Sequence, residues 1–208
     1  MALTREHAAR LERCLVGGGV AVIPTDTVYG FACDPGNETA LRRVYELKRR
    51  PPLKPAAVMF FALQPALETL GDVGARTGAA LEALLPGPVT LLLPNPRRRF
   101  PDACDPAGGG AALLGLRVPA FSDALAALGG VRVPAAQSSA NLSGAADARR
   151  LQDVPIDLRE GADLVLDGGE LPGTASTVID LSEYEHAGGW RIVREGPLDA
   201  ASVAEALD

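Results

Sequence analysis

Short apolar runs alternate with segments of helical period along all 208 residues, and that alternation limits the possible folds more than any other feature. Val20 to Ile23 reads as a buried strand closed by Pro24, and Ala56 to Phe61 and Val89 to Leu93 read the same way. Leu114 to Val118, Val133 to Gln137, Leu164 to Leu166, Thr177 to Leu181 and Arg191 to Val193 complete the expected strands. Thr4 is placed to cap a helix that turns Ala8, Leu11 and Leu15 inward and stops at Gly17-Gly18-Gly19. Asn37 is placed to cap a second, with Leu41, Val44, Tyr45 and Leu47 on one face, ending before Pro51-Pro52. Further helical segments are expected near 65–70, 75–85, 121–128, 147–152 and 199–207. Strands interleaved with helices, some through short connections, indicate an α/β layered domain with a mixed sheet. The length suits one domain covering 1–208, and the glycine-rich stretch at 108–110 reads as a mobile loop.

Composition removes several classes of function. With 47% hydrophobic and 22% charged residues the chain is globular and not disordered. Its longest apolar run, Ala56 to Leu63, is far too short to span a membrane, and with no basic stretch followed by an apolar core near residue 1, no secretory signal is expected. Three widely spaced cysteines and two histidines argue against a disulfide framework, a zinc knuckle or a histidine metal site, so no metal ligands are expected. A reducing cytoplasm is the expected compartment. The net charge of -6 argues against broad adhesion to nucleic acid. Yet Arg42, Arg43, Lys48, Arg49, Arg50 and Lys54 crowd one stretch around Glu46, and Arg97-Arg98-Arg99 forms a second cluster. Of the basic residues 18 are arginine, and the two lysines, Lys48 and Lys54, lie close together. That distribution hints at a site needing a compact ammonium, which arginine cannot replace.

Three segments follow or end predicted elements and could carry chemistry. Pro24-Thr25-Asp26-Thr27-Val28-Tyr29-Gly30 follows a strand and offers two hydroxyls, a carboxylate and a phenol, either as a recognition loop or as a turn held by Asp26 and Gly30. Lys48-Arg49-Arg50 ends the second helix, where the macrodipole alone accounts for cations and an anion clamp on a phosphate is the alternative. Gln137-Ser138-Ser139-Ala140-Asn141-Leu142-Ser143-Gly144 reads as a helix N-cap or as a strand-to-helix passage offering hydroxyls and amides to a phosphate. It is neither a Walker loop nor a nucleophile elbow. Arg117, Ser176-Thr177-Val178-Ile179-Asp180 and Arg194-Glu195-Gly196 are ambiguous alone.

In this order and spacing the segments resemble the YrdC-like family of threonylcarbamoyl-AMP synthases, from about Val20 to Pro197 in a motif-bearing part of about 12–197. The 24–30 segment looks like the family's opening motif, Lys48-Arg49-Arg50-Pro51 like its Lys-x-Arg motif, and Ser139-Ala140-Asn141 like its Ser-x-Asn motif. Ser176 to Asp180 and Arg194 to Gly196 are similar to its closing strands. The resemblance implies a twisted open mixed β-sheet flanked by helices, of the short single-domain type. It implies a nucleotidyltransferase that joins L-threonine, bicarbonate and ATP, releasing pyrophosphate and threonylcarbamoyl-adenylate for tRNA modification by downstream threonylcarbamoyl-transferase proteins. Mg²⁺ would travel with ATP, with no organic cofactor.

Residue by residue, the resemblance places threonine against Thr27, Tyr29, Arg117 and Ser176. It places ATP against Lys48, Arg50, Lys54, Ser139, Asn141, Ser143 and Arg194, with Lys48 and Arg50 offsetting the charge that grows on the phosphates. Arg117 could hold the threonine carboxylate, and no covalent nucleophile is required. The chain departs from the family pattern at Met59, where many members carry histidine, and at Leu113 and Asp147, where polar residues are common. Two other readings stand beside the synthase: an RNA-binding module (for tRNA or double-stranded RNA) using the basic 42–54 stretch, and a paralogue acting on another carbamoyl substrate.

Overall fold

The structure is a computed structural model and describes residues 2–51, 54–108 and 113–208. Helix α1 (Arg5–Val16) starts at Thr4, whose hydroxyl accepts from the His7 amide while His7 Nδ1 accepts from the Thr4 amide at 3.0 Å. This reciprocal capping satisfies two N–H groups that a helix end would otherwise leave unpaired. Strands β1 (Ala21–Ile23) and β2 (Gly30–Cys33) follow, then α2 (Glu38–Leu47), capped as expected by Asn37. The chain continues through β3 (Ala57–Met59), α3 (Leu63–Leu70), α4 (Ala75–Leu84), β4 (Val89–Pro94), α5 (Pro101–Cys104) and β5 (Leu113–Arg117). It ends with β6 (Ala135–Ser139), α6 (Ile156–Glu160), β7 (Leu164–Val165), β8 (Thr177–Asp180), α7 (Tyr184–Ala187), β9 (Arg191–Arg194) and α8 (Ala200–Leu207).

The nine strands of the described residues join one sheet in the order β7-β1-β2-β6-β3-β5-β4-β8-β9. The pairs β1/β7, β3/β5 and β4/β8 are parallel and the other five antiparallel, which is the mixed open sheet the alternation called for. Strands near the middle are buried on both faces, so they read as continuous apolar runs. Helix α2 lies against β2, α1 against the single-turn segment Ala126–Gly130, and α4 against α7 and α8. No helix of the described residues is long and apolar enough to cross a membrane.

Several local expectations change. β2 lies where a loop was expected to end, and β6 sits two residues later than Val133 to Gln137. No α-helix forms over 121–128 or 147–152; Ala126–Gly130 and Leu151–Asp153 are short 3₁₀ segments there. The short helices α5, α6 and α7 were not anticipated. Of the expected mobile loop at 108–110, residues 109–110 lie outside the described residues.

Register explains why distant motifs meet. Gly30 pairs with Ser139, Ala57 with Gln137, Met59 with Arg117, and Val178 with Arg194. A side-chain carbon on Gly30 would stand 2.4 Å from Gln137 Nε2 and 3.1 Å from the Ser138 carbonyl oxygen, so a larger residue there would have to displace Gln137 and press on the facing strand.

Candidate active site

The strand ends enclose a cavity of about 520 Å³ whose wall includes Arg50, Arg117, Ser139, Ser176 and Arg194. Three cations thus converge on a space in which Asp105 is the only lining carboxylate among the described residues. An apolar flank of Ala56, Ala57, Leu92 and Leu113 completes it. Such a mixture of a few fixed polar groups and an apolar wall suits a small anionic ligand with an organic body.

One corner is built by the 24–30 segment. Arg117 is 3% exposed, and its Nη2 donates to Asp26 Oδ1 at 2.6 Å, to Thr27 Oγ1 at 2.6 Å and to Thr25 Oγ1 at 3.2 Å. Asp26 Oδ2 accepts from the Ala120 amide at 3.0 Å, so the carboxylate is held at both oxygens. Burial raises the Asp26 carboxyl above its ordinary value, a push that Arg117 opposes. Among the described residues only Nη2 of this guanidinium is engaged, while Nε is buried without a partner. Thr27 is fully buried behind Arg117 and fixes it.

The opposite corner is cationic without a paired carboxylate. Lys48 caps α2 and is 2% exposed. Its ammonium donates to the Ser139 carbonyl, to the Asn141 carbonyl at 2.9 Å and to Asn141 Oδ1 at 3.0 Å. An ammonium has three N–H groups, and all are used. Lys48 therefore stands behind the 139–141 turn and does not cap its own helix's carbonyls. Burial pushes it down to about 8, with the nearby Arg50 charge adding to the effect and Asp147 opposing it. Asn141 is equally committed: its Oδ1 also accepts from Ser139 Oγ at 2.7 Å, and its Nδ2 donates to the Ala145 carbonyl at 2.6 Å and to Asp147 Oδ1 at 3.2 Å. No helix follows this segment, so the helix N-cap reading of residues 137–144 falls; the turn is held by Lys48 instead.

Arg50 does reach the cavity. Its Nη1 donates to Ser138 Oγ at 2.8 Å, its Nη2 to the Pro55 and Lys54 carbonyls at 2.7 and 3.2 Å, and its plane lies 5.5 Å from the Tyr45 ring. Across the cavity, Arg194 Nη2 donates to the Ser176 carbonyl at 2.8 Å and to its Oγ at 3.0 Å. Ser176 Oγ in turn lies 2.8 Å from Thr90 Oγ1, a buried pair formed where the residue before β8 meets β4.

Of the residues expected to form the site, Arg50, Arg117, Ser139, Ser176 and Arg194 come together on the wall, with Thr27, Lys48 and Asn141 directly behind it. Three do not come to it. Tyr29 is 0% exposed and does not line the cavity: its hydroxyl is held by Asp167 and by the Gly168 and Gly169 backbone, while Val28 takes a place on the wall. Lys54 has an exposed side chain, and only its carbonyl reaches Arg50 and the Tyr45 hydroxyl. Ser143 is exposed, and its amide donates to the Lys48 carbonyl at 3.0 Å. Met59 is fully buried in the core, whereas Leu113 lines the cavity. Thr90 was given no role from sequence, and Asp26 and Ser138 were read only as members of their segments. The signal for Thr90 is a lone hydroxyl inside the apolar run Val89 to Leu93. Among the described residues no group of three or more His, Cys, Asp or Glu side chains could hold a metal ion.

The profile of the Sua5, YciO and YrdC proteins, described as telomere recombination, matches residues 13–196. The threonylcarbamoyl-AMP synthase of Homo sapiens is 36% identical over 192 residues, covering 88% of this chain and 64% of the human protein. That of Pyrococcus abyssi is 30% identical over 168 residues, covering 80% and 48%. The structure of P. abyssi Sua5 complexed with L-threonine has a TM-score of 0.80 at 26% identity and covers 99% of this chain and 58% of that one. E. coli YciO has a TM-score of 0.77 at 25% identity, with 96% and 94% covered. The chain spans less than two thirds of the length of the two synthases. The matched span holds every segment that builds the cavity, and the chain belongs to the Sua5/YciO/YrdC family.

Proposed function

We propose that this chain catalyses threonylcarbamoyl-AMP synthesis from L-threonine, bicarbonate and ATP. The observation that carries the reading is the cavity itself: three arginines facing a space lined by one carboxylate, with Arg117 presented by a preset buried frame. The threonine amine would condense with bicarbonate, losing water, to give an N-carboxylate. One oxygen of that carboxylate would attack the α-phosphorus of ATP, and pyrophosphate would leave with the bonding pair. Arg117 and Ser176 would hold the amino acid, with Thr27 fixing Arg117. Arg50, Ser139 and Arg194 would hold the phosphates, while Lys48 and Asn141 shape the turn and place a positive charge behind it.

Positioning three reactants and screening charge would supply most of the acceleration. Mg²⁺ would enter as part of the nucleotide substrate, with Asp105 the carboxylate within the cavity. Threonylcarbamoyl-adenylate would pass to transferase proteins that modify tRNA. Against RNA binding as the main role, the basic stretch is not a free cationic face: Arg42 pairs with Glu38 at 2.8 Å, Arg43 pairs with Asp163 at 2.6 Å, and Lys48 is buried. Pyrophosphate release from ATP, with threonine and bicarbonate each present or omitted, tests the reading. Release that needs both supports it, and release independent of threonine overturns it.

A further inference from the structure

The segment 166–176 connects β7, at one margin of the sheet, to β8, the eighth strand in order. Seven strand spacings amount to about 34 Å in a flat sheet, and the chain from Val165 to Thr177 can reach only about 40 Å when fully extended. Twist shortens that span, and the segment runs as a helix-free strap that bends at Gly169 and Gly173, whose φ values are +82° and +89°. It passes along the strand ends and is tied at intervals. The Leu166 amide donates to the Val22 carbonyl at 2.9 Å, that of Leu171 to Arg149 at 2.8 Å, and that of Gly173 to Thr27 at 2.8 Å.

The densest of these ties is Tyr29. Its hydroxyl donates toward Asp167 Oδ1 at 3.0 Å and the Gly169 carbonyl at 2.8 Å, and accepts from the Gly168 amide at 3.0 Å. Burial raises the phenol's pKa, which keeps it a protonated donor. Asp167 Oδ1 also accepts from the Gly169 amide at 2.9 Å, closing a small ring of bonds around the hydroxyl. The strap is closely fitted here: a side-chain carbon on Gly168 would stand 2.6 Å from Leu125 Cδ2 and 2.7 Å from Pro24 Cγ. Its far end delivers Ala175 and Ser176 to the cavity wall. Thr27 joins the two ends, since its carbonyl holds the strap at Gly173 while its hydroxyl accepts from Arg117.

We infer that Tyr29 is a positioning residue: its phenol latches the 166–176 strap and, through the strap, sets where Ala175 and Ser176 stand beside Arg117 in the cavity. The inference rests on the proposed synthase reading only in taking threonine as the amino acid held there. Tyr29→Phe keeps the buried ring and removes all three hydroxyl contacts. Asp167→Ala releases the same latch from the strap's side and covers the case in which the first variant folds poorly.

Amide hydrogen exchange needs no substrate and reads the latch directly. Exchange at Gly168, Leu171 and Gly173 is expected to quicken about tenfold in either variant, as loss of a buried hydrogen bond implies. The KM for threonine is expected to rise about fivefold to tenfold, with that for ATP changed less than about twofold. The double variant should add little to either single one, because both break one network. Exchange unchanged by Tyr29→Phe overturns the latch. Faster exchange with an unchanged KM for threonine, or with equal rises for both substrates, overturns the positioning role. Wild-type protein that releases no pyrophosphate in response to threonine defeats the synthase reading instead, and the exchange rates still judge the latch.

Discussion

The two corners of the cavity treat buried charge in opposite ways. At Arg117 the cation meets a carboxylate, Asp26, and two threonine hydroxyls, and every partner is itself fixed. At Lys48 the cation meets only neutral oxygens, from Ser139 and Asn141, with Arg50 adding a second positive charge nearby. The first corner is internally compensated, so its geometry is determined before any ligand arrives. The second carries surplus positive charge in a poorly solvated place, which an arriving polyanion would neutralise. A preset frame suits recognition of one small zwitterion, and surplus charge suits phosphates.

Changes at the two corners should differ in kind. The largest effect on turnover belongs to the uncompensated side: Arg50→Ala should lower it by about two to three orders of magnitude with the fold intact, as removal of a group that offsets developing charge does. Pyrophosphate release beside a thermal melt checks this, and loss of folding would refute it. The compensated side should respond in stability first. Asp26→Ala strands a buried guanidinium and should destabilise by about 3 kcal/mol in urea unfolding, whereas an unchanged midpoint would show that the threonine hydroxyls suffice.

Acidity separates the corners further. Lys48 has an ordinary value of 10.5 and a folded value of about 8. Below pH 8 both folded and unfolded chains carry the proton and the burial penalty is fully felt. Between 8 and 10.5 the unfolded chain binds more protons, so this group's contribution to stability rises with pH. Activity that depends on the ammonium should fall over that same window. Rate and stability should therefore slope in opposite directions, and Lys48→Met should flatten both; parallel slopes would sink the assignment. The smallest effect is expected at Ser138→Ala, which removes one hydrogen bond to Arg50 and should raise the KM for ATP about fivefold.

Much of this fold is legible in the alternation of apolar runs. Both long N-terminal helices begin at the residues that can cap them, Thr4 and Asn37, and eight of the nine strands among the described residues fall within the expected runs or within two residues of them. β2 is missed because Gly-Phe-Ala-Cys is too short to show a period and follows a segment rich in turn formers. The short helices α5, α6 and α7 are missed because four or five residues cannot display a 3.6-residue repeat.

At the site, the motif positions carry across, but the side-chain directions do not. Reading 24–30 as a loop allowed every polar group to face inward, whereas the Tyr29 hydroxyl is taken by Asp167 and the Gly168–Gly169 backbone, partners about 140 positions away. Lys48 is legible as a lysine that arginine cannot replace, since three converging oxygens suit a compact ammonium better than a planar fork. That it serves the 139–141 turn depends on an approach between residues about ninety positions apart, which no local pattern encodes.

The same register that gathers the motifs also dictates when the chain can fold. β1 at residues 21–23 finds its partner β7 at 164–165, and β2 at 30–33 finds β6 at 135–139. The central strands therefore wait, during synthesis, for neighbours made long after them. A nascent chain released up to residue 130 could pair β1 only with β2, leaving β2's other edge and the apolar runs of β3, β4 and β5 without the strand that links them. For this architecture translation is less a sequence of finished parts than one assembly completed near its end, and holding such edges apart in the meantime falls to chaperones.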